Sequence, residues 1–160
     1  MTTEMTDRLE PDSVLPDQVT LLLRLLTAES RTHALYKAIL RSELRLPASM
    51  ASAIEQAGQE DRGHLEDLKG LLPLDVAMAA AEASYALRDP EALEFDQVLA
   101  EIERLERLSV RAYTQICHKA LDGDYRLFDV AFRNLQDNLV HAETLGQMRA
   151  GTMARSREMS

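Results

Sequence analysis

Glu29, Asp61, His64, Glu106, Asn138 and His141 stand where a helix would otherwise turn an apolar side chain inward. Glu29 falls in the run Leu22, Leu25, Leu26, Glu29, His33, Tyr36, Leu40, spaced by three and four residues. Asp61 and His64 lie one turn apart in Ile54, Ala57, Asp61, His64, Leu65, Leu68, Leu72, so a carboxylate and an imidazole share one face. Glu106 interrupts Leu99, Ile102, Ser109, Tyr113, Ile116 and Ala120 at its middle. Asn138 and His141 repeat the three-residue step within Ala131, Leu135, Leu145 and Met148. A buried carboxylate without a partner is costly, so a core that gathers three of them must compensate them with protons, hydrogen bonds or cations. Two divalent ions would serve. Carboxylate oxygen with imidazole nitrogen suits iron, manganese or zinc, and open positions on such ions admit dioxygen or peroxide. A polar network without metal is the other reading of the same residues.

Four helices must carry these positions. The first opens at Leu15-Pro16-Asp17, where proline suits a first turn, and runs to about Arg45 before Leu46-Pro47 stops it. The second spans about Ala48 to Leu72-Pro73, the third about Pro90-Glu91 to Leu121, ended by Asp122-Gly123-Asp124, and the fourth about Tyr125 to Met153. Between Pro73 and Pro90 the sequence LDVAMAAAEASYALRD is too long for a tight hairpin and partly helical in composition, which makes it a crossover between two helix pairs. The predicted organisation is a polar, aperiodic leader over 1–14, an all-α bundle over 15–153, and a mobile tail over 154–160.

Composition agrees with one such domain. At 160 residues the chain can bury a core without disulfides, and six glycines and five prolines are too few for a disordered or turn-rich β protein. The net charge of -9 repels phosphate, which argues against a sequence-independent grip on nucleic acid or an anionic membrane and favours cations as partners. Cys117 is the only cysteine, so no internal disulfide or cysteine-rich metal motif forms. Early Glu4, Asp7 and Glu10, with no apolar run after a basic start, give no signal peptide or membrane span, and a cytoplasmic location is expected.

At the ionisable positions the sequence resembles a known family. LLTAES-x5-Y, carrying Glu29 and Tyr36, resembles the first helix of bacterioferritin and rubrerythrin-like proteins, in which a glutamate ligand precedes a tyrosine by seven residues. DRGH at Asp61 to His64 falls at the family's Glu-x-x-His, Glu106 precedes Tyr113 by the same seven residues, and NLVH at Asn138 to His141 occupies the second Glu-x-x-His. The resemblance covers about Gln18 to Met148. It implies a ferritin-like four-helix bundle, two helical hairpins joined by the crossover, with Glu29, Asp61, His64, Glu106, Asn138 and His141 around one or two iron ions, manganese or zinc being possible substitutes. The implied activity is oxidation of Fe(II) or another substrate with dioxygen or peroxide. Tyr36 and Tyr113 are candidate catalytic residues beside the ligands, although core tyrosines need no such role.

Two departures stand out. Asp61 is one methylene shorter than the family's glutamate, and Asn138 removes a carboxylate outright, leaving three negative charges for two ions. The loss corresponds to about 1.5 to 3 kcal/mol of charge-assisted bonding. Asp137 and Glu143 neighbour Asn138 and His141 but are rotated away in a regular helix; only a π-bulge would bring Asp137 inward to restore the carboxylate. The haem-binding methionine of bacterioferritin would fall at Arg62, so no haem is expected, and one cysteine cannot build an iron–sulfur module. The short tail disfavours a storage cage, and a homodimer is expected. A metal-free ferritin-like scaffold with a degenerate centre is the alternative function. His33 reads as a hydrogen-bonded neighbour of the site, Cys117 as a small buried hydrophobe, and Glu55, Glu60, Glu101 and Glu103 as solvated acids.

Overall fold

The computed structural model describes residues 18–42, 45–73 and 94–158. Four helices fill them, α1 (Gln18–Arg41), α2 (Ala48–Leu71), α3 (Phe95–Ala120) and α4 (Tyr125–Glu158). The predicted leader 1–14, the Leu15-Pro16-Asp17 start and nearly all of the crossover lie outside the described residues. α1 ends at Arg41, short of the expected Arg45, and the Ser42 amide and hydroxyl satisfy carbonyls of its last turn, donating to Ala38 at 3.1 Å and to Ile39 at 2.6 Å. α4 continues to Glu158, past the expected end near Met153, so the residues read as a tail are helical up to that point.

The helix starts follow local chemistry. Glu94 and Gln97 form a reciprocal capping box that opens α3, with the Glu94 amide donating to the Gln97 side chain at 3.0 Å. The turn into α4 places Gly123 at φ +155, a region side chains rarely enter, and Asp124 then caps α4 by accepting from the Leu127 amide at 3.1 Å.

The apolar side chains divide into two clusters. One gathers Leu21, Leu25, Leu68, Ile116, Cys117 and Leu127 with their neighbours, and the other Leu35, Ile39, Ile54, Leu99, Ile102 and Leu145 with theirs. The first therefore joins the start of α1, the end of α2, the end of α3 and the start of α4. It follows that α1 and α4 run together, α2 and α3 run opposite to them, and Pro73 and Glu94 lie at opposite ends of the bundle. Two antiparallel hairpins set with α1 parallel to α4 are the ferritin-like topology. Ile39 rather than Leu40 completes the inner face of α1, since Leu40 is 43% exposed. Cys117 is buried, as expected of a small hydrophobe. No helix among the described residues is long and apolar enough to cross a membrane.

Leu25 and Leu99 are fully buried, one in each cluster. Leu25→Ala and Leu99→Ala are each expected to lower unfolding free energy by about 2 to 5 kcal/mol, with calorimetric melting points falling about 2 to 4 °C per kcal/mol. A loss under about 1 kcal/mol at either position would contradict the packing described.

Candidate metal centre

Between the two apolar clusters lies a polar layer, and all six sequence-predicted ligands are in it. Glu29 comes from α1, Asp61 and His64 from α2, Glu106 from α3, Asn138 and His141 from α4, and each is at most 4% exposed. Two groups could each hold a cation: Glu29, Asp61 and His64, and Asp61, Glu106 and His141. Asp61 belongs to both. Asn138 lies in the same layer, and its side-chain nitrogen donates to Glu29 Oε1 at 2.6 Å.

The histidines explain why a cation suits this layer. His64 Nε2 meets Asp137 Oδ2 at 2.9 Å, and His141 Nε2 meets Glu60 Oε2 at 2.6 Å. A neutral imidazole has one N–H, and each ring uses it on these outer carboxylates. The other ring nitrogen then turns a lone pair toward carboxylate oxygens: His64 Nδ1 lies 3.4 Å from Glu29 and 3.6 Å from Asp61, His141 Nδ1 3.4 Å from Glu106 and 3.5 Å from Asp61. Those separations are long for hydrogen bonds. They match two ligands placed about 2.1 Å from one ion at a tetrahedral angle, which sit about 3.4 Å apart. Both Asp61 oxygens, Glu106 Oε2, Asn138 Oδ1 and His141 Nδ1 are buried without any hydrogen-bond partner. Leaving such atoms unpaired costs about 1 to 3 kcal/mol each, so the donor set fits a divalent cation better than it fits itself.

With no metal, protons take the cation's place. Burial pulls both imidazoles down, but Glu29, Asp137 and Asp61 outweigh it and raise His64 to about 9, while Asp61 and Glu106 raise His141 to about 11. Burial, with Glu29 close by, pushes the Asp61 and Glu106 carboxyls up. Glu60 goes the other way: burial would raise it, yet its bonds from His141 and Gln56 hold it below its ordinary value.

Tyr36 and Tyr113 flank the layer edge-on to His141 and His64, at ring-centroid distances of 6.4 and 6.3 Å. The Tyr36 hydroxyl donates to Glu106 Oε1 at 3.2 Å, and the Tyr113 oxygen accepts from the Asn134 side chain at 3.2 Å. Burial first, then nearby carboxylates, raise both phenols, so both stay protonated near neutral pH.

Three residues of the site escaped the sequence reading. Glu60 was expected on a solvated face and instead holds His141. Asp137 reaches His64 from a regular helix with no π-bulge, and therefore orients a ligand without restoring the lost carboxylate. Asn134 is buried against Tyr113. A signal was present: one sequence interval relates Glu29 to Glu106, Tyr36 to Tyr113, Asp61 to Asn138, His64 to His141 and Glu60 to Asp137. His33 is a hydrogen-bonded neighbour as expected, its Nδ1 lying 3.0 Å from the Gly58 carbonyl. Glu101 and Glu103 are paired rather than free, the first with Arg31 and Arg104, the second with Arg107 and Arg149.

The outer carboxylates fix each imidazole's tautomer and raise its basicity, a role whose loss commonly costs 10- to 100-fold in metal affinity. Glu60→Gln and Asp137→Asn are each expected to weaken Zn(II) binding by about that factor in calorimetric titration, with the helical circular dichroism unchanged. Affinity within about twofold of the natural chain would contradict the assignment.

No family model matches the chain. A DNA protection during starvation protein from Pyrococcus furiosus is 30% identical, over 82% of this chain and 76% of its own length. Among solved structures, a dodecameric thioferritin, the bacterioferritin-related protein from Bacteroides fragilis, superposes with a TM-score of 0.64 at 21% identity, over 89% of this chain and 91% of that one. Dps from Thermosynechococcus elongatus superposes with a TM-score of 0.61 at 17% identity, over 82% and 89% of the two chains. Both superpositions agree with the ferritin-like fold.

Proposed function

Because the chain belongs to the ferritin-like superfamily, and within it to the family of DNA protection during starvation proteins, we propose that it binds iron between its four helices and oxidises Fe(II) with dioxygen or peroxide. The observation that carries this reading is Asp61, a fully buried carboxylate with no hydrogen-bond partner, flanked by two histidines whose other ring nitrogens are already engaged. Iron is substrate as well as ligand here. With peroxide, each of two ferrous ions gives up one electron, the O–O bond breaks, and two protons complete two waters.

The chain's own groups have separable parts in this. Glu29, Asp61, Glu106, His64 and His141 hold the ions, and Asn138 offers its amide oxygen as a neutral ligand or an acceptor. Glu60 and Asp137 fix the imidazoles. The protonated Tyr36 hydroxyl steadies Glu106 and stands ready, with Tyr113, to intercept oxidising equivalents. A cavity of about 100 Å³ lined by Tyr36, Ala57, Glu60, His141 and Leu145 reaches the centre's edge. Sites for organic ligands are typically about 300 to 1,000 Å³, so this one suits an oxidant the size of peroxide.

Protection of DNA, named for the relative, would come to this chain through removal of Fe(II) and peroxide, since a net charge of -9 disfavours contact with nucleic acid. Assembly as a homodimer is part of the proposal, and light scattering separates it from the dodecamer of the thioferritin. The test is anaerobic loading with Fe(II) followed by peroxide, read at the near-ultraviolet absorption of Fe(III). Oxidation faster than in protein-free buffer is expected, and a rate equal to buffer would overturn the activity.

A further inference from the structure

We infer that the two metal positions are unequal, the ion held by Asp61, Glu106 and His141 binding first and more tightly, because Asn138 engages Glu29 in the other half. The inference rests on the metal-binding reading above and concerns a residue in which this chain departs from the resemblance.

The hydrogen bonds divide the layer. On one side the Asn138 amide holds Glu29 Oε1 at 2.6 Å, the one short hydrogen bond to an inner carboxylate that has no counterpart on the other. The histidines do not distinguish the halves, since each Nδ1 lies 3.4 Å from its own glutamate and each Nε2 meets an outer carboxylate. On the other side Glu106 Oε2 is unpartnered, as are both oxygens of the shared Asp61. A cation entering this half breaks no short hydrogen bond. A cation entering the other must compete with a short amide bond to its carboxylate.

Access divides the same way. The cavity of about 100 Å³ between α2 and α4 is lined by His141, by its partner Glu60, and by Tyr36, whose hydroxyl holds Glu106. Neither Glu29 nor His64 lines it. Charge makes whichever ion enters second the weaker one: Asp61 with either glutamate neutralises one divalent ion, whereas a second ion adds two positive charges against the one carboxylate left. In a buried layer that surplus positive charge weakens the second ion. Had position 138 been an acid, matching Asp61, it would supply a fourth carboxylate and no amide would tie Glu29 down.

The test is titration of the metal-free full-length chain with Co(II) without oxygen, followed by calorimetry and by the visible absorption of the bound ion. Two phases are expected, the first of one ion per chain and about tenfold or more tighter than the second. Glu29→Gln should remove the second phase and keep the first, and Glu106→Gln should remove the first. If either variant loses its helical circular dichroism, His64→Gln and His141→Gln make the same comparison. Asn138→Asp should bring the two affinities within about threefold of each other. Two ions of equal affinity in the natural chain, or loss of the first ion in Glu29→Gln, would overturn the inequality while leaving the metal centre standing. A folded natural chain that takes up no Co(II) would overturn the metal centre itself.

Discussion

Asp61→Asn is expected to abolish metal binding at both positions while the metal-free bundle stays folded. Asp61 is the single residue common to both candidate ligand groups, so one substitution removes an anionic oxygen from each. The loss should exceed the 10- to 100-fold expected for an outer carboxylate, because a direct ligand is removed. Two effects on stability oppose each other: asparagine keeps the shape and relieves a carboxylate that burial and Glu29 push up, but it removes a group that raises His141. Thermal melts with and without Zn(II) check both halves: the natural chain should gain stability on loading, and the variant should not. A variant that still binds two ions would show that Asp61 serves the packing rather than a metal.

The second large effect is on pH dependence, which metal removes. His64 and His141 have folded pKa values of about 9 and about 11, above the ordinary 6.5. A raised histidine contributes stability that is fully present below the unfolded value and is lost as pH rises through the folded one, because the folded state binds more protons in that window. Asp61 and Glu106, also raised, act in the same sense from a lower pH. Glu60, held down, stabilises above its unfolded value and matters only toward acid. Metal-free protein should therefore lose stability steadily from pH 6.5 to 9. Metal must displace the same protons, so its affinity rises over that range and the loaded protein should hold its stability. Urea midpoints at pH 6.5 and 9, with and without Zn(II), separate the two behaviours. A metal-free midpoint that rises with pH would contradict the arrangement of charges around the histidines.

How much of this was legible beforehand depended on the direction in which each residue acts. Glu29, Asp61 and Glu106 could be read because they replace apolar residues on an inner face, and a polar residue in such a run needs a cause. The bundle was readable for the same reason, since four seams and a proline- or glycine-marked break between each of them leave little freedom in topology. Glu60 and Asp137 were misread because each sits one residue off the seam. Their work is to reach across to a histidine on the opposite helix, α2 to α4 and α4 to α2, and helix periodicity carries no information about such a partner. Leu40 and Ile39 show the limit of a three-or-four spacing rule, because adjacent residues compete for one face and packing decides between them.

Asn138 is where sequence and structure inform each other most. By sequence it is a missing charge. In the structure its amide donates to Glu29, so the position of the lost carboxylate is occupied by a group that restrains one of the remaining ones.

The central claim is that the layer between the two apolar clusters is a metal centre. Crystals of protein purified without chelator and soaked in Fe(II) or Zn(II), measured at the metal's absorption edge, test it most directly. An anomalous peak is expected within about 2.0 to 2.3 Å of Asp61, Glu106 and His141, with any second peak weaker and nearer Glu29 and His64. No peak between the helices, with Asp61 hydrogen-bonded to protonated histidines on both sides, would contradict it.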